Sequence, residues 1–347
     1  LKELNIDIET YSSVDLKKCG VYRYAESDDF EILLFAYSID GGAVQLVDLA
    51  QGEELPQDIV EALTDPSVTK IAFNAQFERV CITHHLRSIG AFTDEGFLPP
   101  AEWQCTKILS LRLSHPASLA ASAKALEVEE KDSAGVALIN YFSKPCKPTK
   151  VNGGRTRNLP EHDPVKWQAY RDYNIQDVVT ELAVRNKLLP WLTPCDLEDK
   201  AWIIDQEIND RGVYVDTALV DGALEIDEKE NERIDLEMKR LSGLANPGST
   251  QQVRSWLAEA FDIHTDTIAA TWRKERLADP DTPQTLKDFL ELQTLKALTS
   301  VKKYRTIKEF TCKDNTLKGL FQLNGASSTG RFAGRGPQPQ NLTKHNP

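Results

Sequence analysis

The segment NIDIETYSS, residues 5 to 13, alternates apolar and polar side chains with the two-residue period of a β-strand. Leu4, Ile6 and Ile8 share one face, and Asn5, Asp7 and Glu9 share the other. Two arrangements satisfy this pattern. One is an amphipathic strand with a solvated acidic face. The other is a core strand whose paired carboxylates hold a divalent cation, since adjacent carboxylates repel unless a hard cation or a proton lies between them. Either way the strand demands a sheet, and what its polar face meets depends on the rest of the chain.

Beyond this strand, further strands alternate with helices. EILLFAYSI (31 to 39) and AVQLVDL (43 to 49) flank Gly41-Gly42, a pair that favours a tight hairpin turn. A helix is expected over 56 to 64, a strand over KIAFN (70 to 74), and then a helix carrying Phe77, Val80 and Cys81. Short helices are expected from Cys105 onward, interrupted by Pro116 and by the charged EVEEKDS. Asp163-Pro164 is a strong helix start, with aspartate as N-cap and proline in the first turn, and this helix runs to Pro190. These elements predict a mixed sheet with helices packed on it for roughly the first 190 residues.

From DLEDKAWIIDQEINDRGVYVD onward the texture changes to long, highly charged helices. Ile234, Met238 and Leu241 keep helical spacing and mark one narrow apolar face. NPGSTQQV reads as a break followed by a capped helix, and LKDFLELQTLKALTSVKKYRTI as one further long helix. The boundary is placed near residue 195. A chain of 347 residues with 41% hydrophobic content is ample for two conventional cores.

No apolar run is long enough to span a bilayer and the first residues lack a signal-peptide pattern, which gives the expectation of a soluble, cytoplasmic protein. The six cysteines form no C-x-x-C pair and read as reduced thiols rather than disulfides or zinc ligands. A net charge of −12 is unusual for a protein that coats nucleic acid. The charge is unevenly spread, however: SKPCKPTKVNGGRTRN (143 to 158) carries Lys144, Lys147, Lys150, Arg155 and Arg157 with no acid. It is either a loop that tracks a phosphate backbone or a solvated, Pro- and Gly-punctuated connection.

A cation site on Asp7 and Glu9 needs further acids. Glu78, in FNAQFER, sits at a strand-to-helix junction, where α/β folds gather functional groups. Asp177 comes four residues after Tyr173 in YRDYNIQDVV, so both project from one helix face. Asn74 either contacts a bound strand or caps the helix after it.

In this order, DIE, NAQFE and YNIQD resemble the three exonuclease motifs of the DEDD superfamily, in its tyrosine-containing branch. NGASSTGRFAGRGPQPQNL (324 to 342) resembles the segment just before the first polymerase motif of phage-type family-A DNA polymerases, with Thr329, Gly330, Arg331, Gln340, Asn341 and Leu342 at matching positions. The resemblance covers nearly the whole chain. It implies a ribonuclease-H-like α/β exonuclease domain over 1–195, a mainly helical thumb-like region over 196–315 and the start of a polymerase palm over 316–347.

It also implies that Asp7, Glu9, Asp177 and Glu78 hold two Mg2+ or Mn2+ ions, and that Tyr173 orients the attacking water. Two such ions about 3.5 to 4 Å apart activate water and stabilise a leaving oxygen. The second motif usually ends in aspartate, and Glu78 is one methylene longer. The implied reaction is 3′-to-5′ hydrolysis of single-stranded DNA ends, as the proofreading part of a polymerase that acts in a bacterial or phage-infected cell. Thr10, Asn74, the basic loop, Lys302, Lys303, Thr329, Arg331, Gln340 and Asn341 would contact single-stranded or primer-template DNA. The protein is expected to be a monomer without membrane partners. The palm carboxylates and fingers of such a polymerase would lie beyond Pro347, so digestion without primer extension is expected. A catalytically weakened DNA-binding module and an exoribonuclease are the alternatives.

Overall fold

The computed structural model describes residues 1–128, 135–297, 301–326 and 329–341. Two compact units divide them. The first comprises Leu1–Val215 with Glu309–Asn341, and the second begins at Asp216 and runs to Lys308. The helix expected to open the thumb-like region after residue 195 thus belongs to the first unit, and so does the segment from 309 to 315.

The first unit is built on a five-stranded mixed sheet. Its strands are β1 (Glu3–Tyr11), β2 (Glu31–Ile39), β3 (Gln45–Val47), β4 (Thr69–Ala72) and β5 (Trp103–Cys105), in the order β3-β2-β1-β4-β5. β1 is central, antiparallel to β2 and parallel to β4. Its register shifts between Glu9 and Thr10, an irregularity of the kind that re-aims side chains beside functional sites. Around the sheet lie α1 (Leu16–Ala25), α2 (Gln57–Thr64), α3 (Ala75–Ser88), α4 (Thr106–Arg112), α5 (Leu119–Ala125), α6 (Gly135–Phe142), α7 (Pro164–Leu188) and α8 (Asp196–Arg211).

Both faces of β1 are covered. Leu4, Ile6 and Ile8 pack with Val80, Ile82 and Leu86 of α3 in one core. The opposite face meets α7, and beside it Tyr11, Leu33 and Leu34 pack against Phe142, Trp167 and Tyr170. A solvated acidic strand face is therefore excluded. α7 starts where the Asp163-Pro164 pair directs: the Asp163 side chain accepts from the backbone N–H of Lys166.

α8 is fastened to the first unit by Trp202, which packs in the sheet core, and by an ion pair between a buried arginine of α3 and a half-buried aspartate. The guanidinium of Arg79, wholly buried, donates to Asp210 Oδ1 at 2.7 Å and Oδ2 at 2.8 Å, to Leu98 O at 2.9 Å and to Gln206 Oε1 at 3.1 Å. Tyr22 Oη donates to the same Asp210 Oδ1 at 2.6 Å. Beyond α8 the chain leaves this unit and later returns. β6 (Val213–Tyr214) on the outgoing strand pairs antiparallel with β7 (Thr316–Leu317) on the incoming one, and β8 (Phe321–Ala326) and β9 (Arg331–Gly334) form a further hairpin.

The second unit is helical: α9 (Thr217–Ser242), α10 (Thr250–Phe261), α11 (Ala270–Ala278), α12 (Gln284–Lys296) and most of α13 (Lys302–Phe310). Ile234 and Met238 are buried with Val253, Leu257, Leu286, Phe289 and Leu290, as their spacing predicts. Ser249 caps α10 by accepting from the N–H of Gln252. The single long helix expected from Leu286 is instead two, since α12 ends at Lys296 with Ala297 as its C-cap and α13 begins at Lys302. The six cysteines are free thiols. Among the described residues no helix is long and apolar enough to cross a membrane.

Candidate metal centre

Three carboxylates converge between β1 and α7. Asp7, Glu9 and Asp177 each offer an oxygen, and these oxygens all lie within 4.8 Å of one another. Glu9 and Asp177 are buried and Asp7 is partly so. The strand places Asp7 and Glu9 on one face, and the helix presents Asp177 one turn after Tyr173, as the spacings require. The cluster opens into a cavity of about 730 Å³, whose wall includes Thr10, Asn74, Phe77, Glu78, Lys144 and Tyr173.

Glu78 stands outside the 4.8 Å cluster although it lines the same cavity. Its Oε2 is buried and has no hydrogen-bond partner among the described residues. Burial, and then the charge of Glu9, push its carboxyl up to about 8. Three acids in one small volume with a fourth buried beside them fit a hard divalent cation, because only a positive charge offsets their mutual repulsion and desolvation. The donors are all oxygen, which suits Mg2+ or Mn2+ better than zinc.

Tyr173 is buried, and its phenol is held above the ordinary tyrosine range by burial and then by the charges of Asp177, Glu9 and Asp7. It is a neutral hydroxyl facing carboxylates. Its ring lies against Gly135, the first residue of α6, where an added Cβ would come within 1.9 Å of Tyr173 Cε2. Glycine is the residue that allows this approach.

Thr10 Oγ1 lies 2.9 Å from Tyr24 Oη, at the rim of the irregular end of β1. Asn74 stands at the N-cap position of α3 but makes no side-chain cap bond; its Oδ1 accepts from Lys107 Nζ at 3.4 Å. In the basic loop, Lys144 reaches the cavity wall, and Lys147 and Lys150 are exposed. The two arginines are occupied within the protein. Arg155 donates to Asn158 Oδ1 and Asn152 O, while Arg157 pairs with Glu31 and lies 3.7 Å above the ring of Tyr11. Thr329 and Arg331 are exposed at the β8–β9 hairpin, and Gln340 and Asn341 lie in a short 3-10 turn (Pro339–Asn341). Lys302 and Lys303 belong to the second unit. Leu342 lies outside the described residues.

Sequence reasoning missed Tyr170, Asn174 and Ser143. Tyr170 and Asn174 stand three residues before and one after Tyr173 on α7, and the polar stripe 170, 173, 174, 177 is the signal that could have found them.

The first unit is thus an α/β fold of the ribonuclease-H-like class, and the second unit is helical. No protein-family profile matches the chain. In sequence it is 48% identical over 346 residues to the DNA polymerase of Bacillus phage SP02, an alignment covering 99% of this chain and 52% of that polymerase. The chain is thus related along nearly all of its residues to a phage DNA polymerase, and spans about half of that relative's length.

Among solved structures, the polymerase domain of Pol1 from M. smegmatis, in complex with DNA primer-template and dNTP, superposes with a TM-score of 0.54 at 15% identity. That match covers 99% of this chain and 52% of the other. It shows a shared fold. Brucella melitensis NrnC with bound Mg2+ matches at a TM-score of 0.34 and 16% identity, over 58% of this chain and 80% of that one.

Proposed function

We propose that the first unit is a metal-dependent 3′-to-5′ exonuclease acting on single-stranded DNA ends, the proofreading part of a polymerase of the phage type. The observation that carries this reading is the convergence of Asp7, Glu9 and Asp177 on one volume, with the Tyr173 phenol beside them. Asp7, Glu9 and Asp177 would hold the ions directly, and Glu78, set back from them, would act through water or through its protonated form. Divalent ions bound there would promote ionisation of the attacking water and stabilise charge on the leaving 3′ oxygen.

The chain's own residues supply the rest. The Tyr173 hydroxyl orients the water, and Lys144 meets phosphate at the wall. Val14, Leu16, Phe77 and Ile139 give the cavity apolar surface on which an unstacked terminal base can rest. Relationship to a DNA polymerase favours DNA over RNA as substrate.

The test is digestion of end-labelled DNA and RNA oligonucleotides of one sequence, with Mg2+ and with a chelator. Loss of label from the 3′ end of DNA only when Mg2+ is present supports the reading. Tight oligonucleotide binding without any digestion would favour the non-catalytic module, and faster digestion of RNA the exoribonuclease.

Two companion measurements sharpen it. Saturating Mg2+ or Mn2+ at about 100 times Kd stabilises a folded binding site by about 2.7 kcal/mol, which for a unit of this size raises Tm by roughly 5–10 °C. Tyr173→Phe should keep that shift yet slow hydrolysis by roughly ten- to a hundredfold, the usual cost of losing a group that orients a metal site's contents. A Tyr173→Phe enzyme with the wild-type rate would remove the phenol from the mechanism.

A further inference from the structure

The two acids of β1 are each gripped from the helix that bears Asp177. Tyr170 Oη donates to Glu9 Oε2 at 2.5 Å. Asn174 Nδ2 donates to Asp7 Oδ2 at 2.6 Å and to the Asp7 carbonyl at 3.2 Å. Both side chains are fully buried. The same strand and helix also meet farther along, where Asn5 Nδ2 donates to Glu181 Oε2 at 2.8 Å. The spacing explains why strand and helix meet this way around the ligands: two strand residues advance about 6.6 Å and four helical residues about 6 Å, so residues 9 and 7 stay opposite 170 and 174.

The grip is supported in turn. Ser143 Oγ lies 2.7 Å from Tyr170 Oη. The phenol has one proton, and it is committed to a carboxylate that can only accept, so the serine must donate. The relay runs Ser143 to Tyr170 to Glu9, from the first residue of the basic loop to the carboxylate cluster. The tyrosine ring is itself held between Phe142, at 5.6 Å, and Tyr173, at 6.2 Å, by stacking.

We propose that Tyr170 and Asn174 are positioning residues for the metal centre, each taking one oxygen of a β1 carboxylate and thereby fixing the oxygen that faces the ion. This rests on the metal-dependent reading above. The chemistry of the pair is what recommends it. Acids brought this close repel, and without a restraint Asp7 and Glu9 would rotate apart whenever the site was empty. A lysine or arginine would hold them but would also cancel the charge that attracts a divalent cation. A phenol and a carboxamide hold them with neutral donors and leave that charge in place.

Mn2+ binding to the metal-free protein, monitored by electron paramagnetic resonance and calorimetry, tests the proposal. Tyr170→Phe, which keeps the stacked ring, and Asn174→Ala are each expected to weaken Mn2+ binding by roughly ten- to a hundredfold. The metal concentration for half-maximal digestion should rise in step, with most of the rate recovered at saturating metal. Should either variant fold poorly by circular dichroism, Ser143→Ala carries the test, with a smaller weakening expected in the same direction. Folded Tyr170→Phe and Asn174→Ala proteins that bind Mn2+ with wild-type affinity would overturn the proposal. So would a loss of maximal rate without any change in metal affinity. Asp7→Ala is the control that keeps the two levels apart. If it abolishes Mn2+ binding while Tyr170→Phe and Asn174→Ala leave it intact, only the positioning role falls; if it changes nothing, the metal centre falls and the positioning role with it.

Discussion

Asp7→Ala and Asp177→Ala are each expected to abolish metal-dependent digestion of a single-stranded DNA 3′ end while leaving the protein folded. Each residue contributes an oxygen to a cluster only 4.8 Å across, so removing one leaves too few donors to hold a hard cation that prefers six or more oxygens. The loss should exceed the roughly 10–100-fold that results from disturbing a group outside the ligand set. Deleting one acid relieves repulsion among the others; for Asp7→Ala this gain is offset by the loss of the carboxylate that accepts from Asn174 Nδ2, which keeps only the residue 7 carbonyl. The metal-induced rise in Tm should shrink in proportion to the lost affinity. Glu78→Gln offers the contrast: it keeps the shape of a residue set back from the cluster, so its cost should be smaller than that of either aspartate. Single-turnover digestion with a Mg2+ titration reads all three variants, and an Asp177→Ala protein that digests DNA at the wild-type rate would remove the cluster from the chemistry.

The largest stability effect is expected outside that cluster, at Asp210→Ala. Arg79 is wholly buried and its guanidinium stays charged, so its two bonds to Asp210 are what make its burial tolerable. Removing one partner of a buried pair typically costs about 3–5 kcal/mol; with Asp210 partly exposed the low end, about 3 kcal/mol, is expected, a fall in Tm of roughly 6–12 °C for a unit of this size. Tyr22 Oη loses its acceptor at the same time. The double variant Arg79→Met, Asp210→Leu should recover much of the loss, because a well-packed apolar pair can replace a buried ion pair. Thermal or denaturant unfolding measures both; an Asp210→Ala protein within about 1 kcal/mol of wild type would mean that water reaches Arg79 and satisfies it.

What the sequence made legible was local. The alternation of β1, the Asp163-Pro164 start of α7, and the four-residue step from Tyr173 to Asp177 are short-range patterns, and the structure reproduces each. The apolar triad of α9 was equally plain. The missed features depend on distant partners. α1 carries Gly20 at φ +72 inside it, packed under the ring of Phe310, so no continuous helical period marks it. The grip of Tyr170 and Asn174 on Glu9 and Asp7 joins residues more than 160 positions apart. Arg155 and Arg157 belong by sequence to a basic loop that either tracks phosphate or is solvated, and only the folded chain brings Asn158, Glu31 and Tyr11 to them. The compact units divide at Val215 and Asp216 rather than near residue 195, because Asp210 and Gln206 bond Arg79 of α3 and Trp202 of α8 packs in the sheet core.

The pairing of Val213 with Leu317 has a consequence in time. Every residue of the carboxylate cluster, up to Asp177, emerges from the ribosome before the second unit is begun. The strand that closes the first unit, by contrast, waits until the whole of that second unit has been translated. At roughly 5–20 residues per second the interval is on the order of ten seconds, long compared with the folding of most small domains. During it the strands that carry the carboxylates and the residues of α8 have been synthesised, whereas Phe310, Leu317, Leu320 and Leu323, buried in the finished protein, have not. The nascent chain thus carries every acid of the cluster early and the strand that completes the first unit late.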